Sequence, residues 1–373
     1  MSYRIVVTGG GTAGHTEPLV AIIRALLAQD SALDIVWIGG SKSSREALAA
    51  KALHVQFKSV AVGKWRRYFD WHNVVDPLKV GVGYFQAWRY LRTIRPDIVV
   101  SKAGYVAVPT VLAARALNIP IVVHESDTVL GLANRLSVKY ALAVCTGFPL
   151  SLYNSIIQKK GYYTGNPVPY KEHLRESAVL KQYRINTEQP VVAVLGGSQG
   201  AEAINELVWT KLAALLEVTQ VFHNVGDGHV EAAQRIKSNL SPKLQKRYIV
   251  AGVFDRSQLA GILRASWCVV SRAGANTIAD LSYFKTPAII IPLPSAASNH
   301  QYQNAQFVVD LGAAEMLEQH QLTADTLLEH IKQLLHDEKR RHIMSRAMDR
   351  VNPPNAAAHI AQIVYKELKQ KSA

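Results

Sequence analysis

The sequence predicts an α/β protein of two successive halves, each a parallel sheet wound on both faces by helices. Three observations predict it. Runs of four or five apolar residues recur along the 373 residues, a glycine or polar turn and a helical pattern follow each run, and the whole pattern starts again after residue 185. Continuous apolar runs between helices are typical of parallel strands buried on both faces. A chain of this length is long enough for two cores.

The first half begins with a strand, a glycine turn and a helix. Ile5–Val7 is closed by Gly9–Gly11, and a helix is predicted over 18–27 with Pro18 in its first turn. The further strands of this half are predicted over 34–38, 97–100 and 119–123.

The second half repeats this arrangement, and its first strand is closed by Gly196–Gly200. Its strands are predicted over 190–195, 220–222, 248–250, 268–270 and 288–291. We expect domains over 1–165 and 166–355, with 165–169 as the linker and a final helix at about 356–369 that can belong to either half. Ligands of open α/β sheets lie beyond the carboxyl ends of the strands, so both glycine turns are expected at a cleft between the halves.

Composition narrows the class of partner. The formal net charge is +14, which favours nucleic acid, an acidic membrane or a phosphorylated substrate. Two distant cysteines, Cys145 and Cys268, give neither a disulfide framework nor a zinc spacing, so buried free thiols are expected. The N-terminus has no signal-peptide layout and no run of 18 apolar residues is present, so any membrane contact is expected to be peripheral and cytoplasmic.

The first glycine turn satisfies the G-x-G-x-x-G pattern over 9–14. A dinucleotide site also needs an acidic residue at the end of the second strand, and 38–41 read Ile-Gly-Gly-Ser, which argues against NAD. Thr12, Ala13 and Gly14 instead head a helix whose N-terminus attracts anions. His15 follows directly and is a candidate to take a proton from a hydroxyl.

The second turn offers the same chemistry through Ser198, Gln199 and Gly200. Glycines allow the backbone to approach a ligand closely, and two such turns suit a diphosphate. Neither turn carries metal ligands. We expect helix N-termini and amides to neutralise a leaving diphosphate, with no metal and no cofactor.

A series of motifs then carries a family resemblance. They are 8–15 and Pro18, 101–105 and Pro109, 124–127, 131–135, 164–168, 196–200, 272–275, and His300-Gln301 with Asn304-Ala305. In this order they are highly specific. The chain resembles the MurG family, the UDP-N-acetylglucosamine transferases that convert lipid I to lipid II in peptidoglycan synthesis, and the match runs nearly end to end.

The resemblance implies a two-domain GT-B fold and inversion of the sugar by a single displacement. It places Thr12, Ala13 and Gly14 near the donor diphosphate and the acceptor, Asp127 on the donor sugar, and Ser198 on a phosphate. It places the 275–280 segment, with Ala275, Asn276 and Thr277, under the uridine, and its last member, Asp280, on the ribose hydroxyls. Gln301 matches a glutamine that reads the sugar, and Asn134 of the 131–135 motif is a further binding candidate.

Four positions depart from the family pattern. Ala13 stands where Gly is frequent, and His300 where a second Gln is common. Pro169 replaces an arginine that contacts the phosphates, so that contact is either lost or moved to another cation such as Arg272. Asp280 replaces the usual Glu and reaches about one methylene less far.

The predicted function is transfer of N-acetylglucosamine from its UDP donor to the muramyl-peptide sugar of polyprenyl-diphosphate lipid I. His15 is the first candidate for the base and Glu125 the second, while His124 is a candidate to contact the donor sugar. Three alternatives stay open: a transferase for another lipid such as diacylglycerol, a non-catalytic UDP-sugar sensor, and a UDP-sugar epimerase.

A basic, aromatic stretch over 58–102 supplies much of the charge. It holds nine Lys or Arg, three acids and eight aromatic residues. This mixture suits an anionic membrane surface, a helix with core aromatics and solvated cations, or nucleic-acid stacking. We favour peripheral binding at the anionic cytoplasmic face of the cell membrane, with Trp65, Phe69 and Arg66–Arg67 as contacts, and expect no nucleic-acid partner.

Overall fold

The computed structural model describes residues 3–11, 13–63, 72–102, 104–170, 181–183, 189–197 and 199–372. Its contacts divide the chain into unit 1, Met1–Pro169 with Pro353–Ala373, and unit 2, Tyr170–Asn352. The division therefore falls at Pro169, four residues after the expected 165, and the C-terminal segment returns to unit 1.

Unit 1 contains a parallel sheet in the order β3-β2-β1-β4-β5-β6-β7. Its strands are β1 Arg4–Thr8, β2 Asp34–Gly39, β3 Gln56–Ser59, β4 Ile98–Ser101, β5 Ile121–Glu125, β6 Ala143–Thr146 and β7 Gly161–Tyr163. The order reverses between β1 and β4, which is where ligands bind in sheets of this kind. The glycine turn follows β1, so it lies at that switch point.

The helices of unit 1 cover both faces of this sheet. They are α1 Ala13–Gln29, α2 Arg45–Ala52, α3 His72–Ile94, α4 Val108–Ala116, α5 Leu132–Tyr140, α6 Ser155–Lys160 and, from the end of the chain, α16 Ala356–Ser372. The last helix packs against α1 and buries Ile360, Val364 and Leu368 in the core of unit 1. It belongs to the first half because its apolar face completes that core.

The predicted start of α1 at Pro18 is wrong. The helix begins at Ala13, directly after the glycine turn, and Pro18 lies inside it. Proline has no N–H for the usual bond to the carbonyl four residues earlier, so the helix lacks one bond in its second turn. The early start brings Gly14 and His15 into the first turn of α1.

Unit 2 contains a six-stranded parallel sheet in the order β10-β9-β8-β11-β12-β13. Its strands are β8 Val191–Leu195, β9 Gln220–Asn224, β10 Tyr248–Ala251, β11 Cys268–Ser271, β12 Ala288–Ile290 and β13 Ala314–Met316. Its described helices are α7 Glu202–Thr210, α8 Leu212–Val218, α9 Val230–Ser238, α10 Pro242–Gln245, α11 Arg256–Ala265, α12 Ala275–Phe284, α13 His300–Asp310, α14 Ala324–His336 and α15 Glu338–Met348. The prediction of two doubly wound halves is confirmed.

Both cysteines are buried free thiols, as expected. Cys145 lies in the core of unit 1 and Cys268 in that of unit 2. Burial raises the pKa of the Cys268 thiol to about 12 and raises that of Cys145 as well. Neither thiol is therefore reactive at neutral pH.

The basic, aromatic stretch is only partly described, because residues 64–71, with Trp65, Phe69 and the Arg66–Arg67 pair, lie outside the described ranges. In α3, Leu78, Val82 and Phe85 share one face and are 71%, 52% and 69% exposed. Lys79, Arg89 and Arg92 are also exposed. The guanidinium of Arg92 lies 4.7 Å from the ring centre of half-buried Trp88. The stretch thus combines an exposed apolar stripe with aromatics that pack inward or under cations.

Within the described ranges, no helix has the length and the apolar character needed to cross a membrane.

Candidate active site

Side chains that pack against the first glycine turn fix its backbone. The indole Nε1 of Trp37 donates to the carbonyl of Gly9 at 3.2 Å. A Cβ on Gly10 would lie 2.7 Å from the Glu46 carboxyl, and one on Gly11 would lie 2.8 Å from the Tyr105 ring. Both glycines have positive φ, so this turn requires glycine for its conformation and for its space. Thr12 lies outside the described residues, and Ala13 begins α1.

His15 stands in the first turn of α1, against the backbone of Gly104. A Cβ on Gly104 would lie 3.2 Å from His15 Cδ2, so the absence of a side chain there makes room for the ring. Burial, aided by the positive charge of Lys102, lowers the pKa of His15 to about 4. The Nδ1 atom is buried and makes no hydrogen bond within the described part of the chain. At neutral pH the ring is uncharged and can accept a proton.

Glu125 is the centre of a buried hydrogen-bond network at the end of β5. Its Oε1 accepts from the Asp127 amide at 3.0 Å, and its Oε2 accepts from the Gly131 amide at 3.2 Å and from Asn134 Nδ2 at 3.0 Å. Burial and the Asp127 charge raise the pKa of this carboxyl, while its hydrogen bonds and Lys102 oppose the rise. Three donors on one carboxylate favour a structural role, in which Glu125 holds the turn that presents half-buried Asp127.

Asn134 and His124 are held in the same network. Asn134 is fully buried, and its Nδ2 also donates to the carbonyl of His124 at 3.2 Å. Asn134 thus positions Glu125, and a direct substrate contact there stays a prediction. His124 is buried, its Nε2 donates to the Gly165 carbonyl at 3.0 Å, and burial holds its pKa well below the usual range. This bond fixes the His124 ring, which argues against our assignment of a donor-sugar contact.

The predicted linker is not a free connection. Thr164 to Pro167 are buried, and Asn166 Nδ2 donates to the carbonyl of Ser126 at 3.0 Å. The amides of Thr164 and Gly165 donate to the Thr146 carbonyl at the end of β6 at 3.1 and 3.0 Å. The segment is therefore part of the framework of unit 1.

Lys102 was counted with the cations of the basic stretch 58–102, but it does not lie at the surface. The residue is fully buried at the end of β4, and its Nζ donates to Ser126 Oγ. A lysine two positions after the apolar run Ile98–Val100 was the signal that could have identified it.

The second glycine turn, after β8, packs against the turn after β9. A Cβ on Gly200 would lie 2.3 Å from the Val225 carbonyl oxygen, and one on Gly226 would lie 2.5 Å from the Gly200 Cα. Asn205 Nδ2 in turn donates to the Val225 carbonyl at 3.0 Å. Gln199 is exposed and Gly200 half-buried, whereas Ser198 lies outside the described residues.

The ribose candidate, Asp280, forms an ion pair that the sequence did not reveal. Arg256 Nη1 lies 2.9 Å from Asp280 Oδ2 and donates to the Tyr170 hydroxyl at 3.1 Å. Tyr170 packs against Tyr283 and Phe284 of α12. Asp280 thus lies in a partly buried Arg–Tyr cluster, and the helix that carries it begins at Ala275, with Asn276 and Thr277 half-buried in its first turn.

The cation suggested in place of the missing arginine is engaged inside unit 2. Arg272 donates to the carbonyls of Ile291 and Pro292 at 3.1 and 3.3 Å and to Gln319 Oε1 at 2.7 Å.

The side-chain oxygen of Gln301, Oε1, accepts from the Leu293 amide at 3.0 Å. The side-chain nitrogen of Gln301 is therefore the group that is left to donate to a ligand. Within the described residues, no group of three or more His, Cys, Asp or Glu could hold a metal ion.

Two parallel α/β units, each with a glycine turn that leads to a helix at the carboxyl edge of its sheet, form the fold of the GT-B glycosyltransferases. Residues 5–146 match the glycosyltransferase family 28 N-terminal domain, and residues 191–362 match the family 28 C-terminal domain. The chain belongs to the UDP-N-acetylglucosamine--N-acetylmuramyl-(pentapeptide) pyrophosphoryl-undecaprenol N-acetylglucosamine transferase family, as the relatives below show.

The relative from Shouchella clausii that carries this family name is 35% identical over 371 residues, which cover 98% of this chain and 99% of the relative. The relative from Lachnospira eligens is 36% identical over 337 residues, covering 90% and 91%. Among solved structures, Acinetobacter baumannii MurG superposes with a TM-score of 0.72 at 25% identity and covers 98% of this chain and 99% of its own. A UDP-GlcNAc 2-epimerase from Neisseria meningitidis, at 12% identity and a TM-score of 0.67 with 98% and 100% covered, shares the fold alone.

Proposed function

We propose that this protein transfers N-acetylglucosamine from UDP-N-acetylglucosamine to the muramyl sugar of lipid I and so forms lipid II. The family membership carries the choice of substrates. The observation in the molecule that carries the chemistry is His15, an uncharged histidine in the first turn of the helix behind the glycine turn.

His15 is the proposed base of a single displacement. The acceptor hydroxyl oxygen forms a bond to the anomeric carbon, the bond from that carbon to the UDP oxygen breaks, and His15 takes the hydroxyl proton. Because its pKa is lowered to about 4, the base form is fully populated at neutral pH. Glu125, the second candidate, is less suited because three donors already engage its carboxylate.

The remaining binding roles are assigned to the two units. We assign Thr12, Ala13 and Gly14, which precede His15 in the sequence, to the donor diphosphate and the acceptor, and half-buried Asp127 to the donor sugar. The acceptor role of 1–165 rests on the family resemblance.

Unit 2 is the proposed donor-binding unit. We assign the leaving diphosphate to Ser198, Gln199 and Gly200, because a glycine turn offers backbone amides to an anion. We assign the uridine to Asn276 and Thr277, the ribose to Asp280 and the sugar to Gln301, so that 166–355 binds the UDP-sugar.

We also propose that the protein binds the anionic cytoplasmic face of the cell membrane through α3. Leu78, Val82 and Phe85 give an exposed apolar stripe, and exposed Arg89 and Arg92 supply positive charge. Changing Leu78 and Phe85 together to Glu should reduce flotation with anionic liposomes at least tenfold, because burial of one such side chain is worth about 1.5–3 kcal/mol.

The matched control for this experiment is Ile343→Glu, since Ile343 is 55% exposed on α15 of unit 2. Equal flotation of the double variant and the control would contradict the assignment of α3. Excess RNA should leave the flotation of the wild type unchanged, because no nucleic-acid partner is expected.

A panel of donors and acceptors tests the proposed function. Labelled UDP-N-acetylglucosamine and UDP-glucose are each supplied with a lipid I analogue and with diacylglycerol. We expect label only in the product of UDP-N-acetylglucosamine and the lipid I analogue. Transfer of glucose to diacylglycerol would instead support the other lipid acceptor, and binding of UDP-sugar without any transfer would support a sensor. Interconversion of the free UDP-sugar would support an epimerase.

A further inference from the structure

Lys102 places a positive charge inside unit 1, directly behind the candidate site. It follows β4 at the switch point of the sheet, and its backbone amide donates to the Thr8 carbonyl of β1 at 2.9 Å. Its side chain has no exposed surface. Lys102 therefore cannot bind substrate in this conformation, and any effect on the reaction passes through its neighbours.

A buried ammonium is costly unless charges and hydrogen bonds compensate it. Lys102 Nζ donates to Ser126 Oγ, in the turn that Glu125 organises. The charges of Glu125 and Asp127 favour the ammonium, although burial still lowers the pKa of Lys102 to about 8. The compensation therefore comes from the same turn that presents Asp127.

The titratable groups that face Lys102 belong to two elements. His15 comes from α1, and its pKa is lowered by burial and by the Lys102 charge. His124, Glu125 and Asp127 come from β5 and the turn after it, and Lys102 also lowers the pKa of His124. The charge of Lys102 therefore disfavours protonation of both histidines, in addition to the larger effect of burial.

We propose that Lys102 is a positioning residue of the transfer reaction, whose buried ammonium fixes the Ser126–Asp127 turn and disfavours protonation of His15. This proposal rests on the proposed role of His15 as the base. A neutral side chain in the same space would keep the packing but remove the charge that adds to the effect of burial on His15. His15 would then bind a proton at a somewhat higher pH, so its base form would be lost earlier as the pH falls.

The test compares Lys102→Met, which keeps the length and removes the charge, with Lys102→Arg, which keeps the charge. The matched control is Lys139→Met, because Lys139 is an exposed lysine on α5 of the same unit. The first readout is the NMR titration of His15 C2–H without substrate, with His15→Asn for assignment. The second is the pH profile of kcat/KM for transfer to a lipid I analogue.

In Lys102→Met we expect the pKa of His15 to rise by about one unit, the size of shift that one nearby charge produces. The acid limb of the pH profile should move by the same amount. As the pH rises through about 8, Lys102 loses its proton and with it part of its hold on the Ser126–Asp127 turn, while His15 stays uncharged. The wild type should therefore lose activity in this range, and this limb should disappear in Lys102→Met and lie higher in Lys102→Arg.

An unchanged His15 titration in folded Lys102→Met would overturn the proposal, because a merely structural lysine would alter stability alone. If Lys102→Met does not fold, the wild type decides. A low His15 pKa with a second small shift of its resonance near pH 8 supports the proposal, and the absence of a shift near pH 8 refutes it at any His15 pKa. The NMR readout needs no turnover, so failure of the proposed function gives a different result from failure of this inference.

Discussion

Gly104→Ala tests the geometry that holds His15 in place. Gly104 has φ +85° and ψ 156°, a region of backbone space that is almost restricted to glycine. An added Cβ would lie 2.9 Å from the Gly10 carbonyl oxygen and 3.2 Å from His15 Cδ2. The first contact is with rigid backbone of the glycine turn, so His15 and that turn must both move.

The magnitude has two parts. The backbone conformation costs an alanine about 1–3 kcal/mol, and the two close contacts add roughly 1 kcal/mol or more. We therefore expect unit 1 to lose about 2–4 kcal/mol of stability. Displacing His15 by a few tenths of an ångström should also lower kcat at least tenfold, since a misplacement of about 1 Å costs on the order of 100-fold.

The assay pairs thermal unfolding with kcat for transfer to a lipid I analogue. Gly81→Ala is the control, because Gly81 lies inside α3 with no atom within 4 Å of the added Cβ. This control should be stabilised by about 0.5–1 kcal/mol and keep its kcat. If Gly104→Ala matched Gly81→Ala in both measurements, the packing of His15 against Gly104 would be refuted.

Three further predictions concern the base, the ribose carboxylate and one buried histidine of unit 2. His15→Ala should lower kcat about 10²- to 10⁴-fold and leave the Kd for UDP unchanged in calorimetry, and full turnover would remove His15 as the base. Asp280→Ala should weaken UDP binding at least tenfold, which is about 1.4 kcal/mol. Asp280→Glu should restore the binding. Equal Kd values for the wild type and both variants would show that Asp280 does not bind the ribose. His223 is buried between Asn205 and Tyr248 with its pKa lowered to about 3, so in the folded protein it binds a proton only at lower pH than in the unfolded chain. The contribution of His223 to the free energy of unfolding should therefore be complete above pH about 6.5 and fall as the pH drops toward 3. If the variant folds, His223→Gln should flatten that fall in chemical denaturation between pH 4 and 7. An identical slope in both proteins would contradict the assignment.

Apolar runs gave a good prediction of the inner strands, because a strand that is buried on both faces has to be apolar throughout. The prediction nevertheless missed β6, an inner strand that is buried throughout. It also missed β3 and β7, which lie at the two edges of the first sheet. β3 reads Gln-Phe-Lys-Ser, which carries one apolar residue because an edge strand is partly exposed. β13, at an edge of the second sheet, was missed for the same reason.

Site residues were predictable where a motif carried them and hidden where tertiary contacts decide. The glycine turns, His15 and Glu125 follow from local pattern and family resemblance. The pairing of Arg256 with Asp280 joins positions 24 residues apart, and no spacing rule indicates it. Lys102 was misassigned because charge counting treats every lysine as exposed, whereas carboxylates from the next strand compensate this one in the interior.

The proposed transfer reaction is tested most directly by the structure of its product. Purified protein is incubated with UDP-N-acetylglucosamine and a lipid I analogue, and the product is identified by mass and by the anomeric proton coupling in NMR. We predict one added N-acetylhexosamine on the muramyl sugar, with the configuration inverted from α in the donor to β in the product. A product with retained configuration, or an N-acetylhexosamine attached elsewhere, would contradict the proposal.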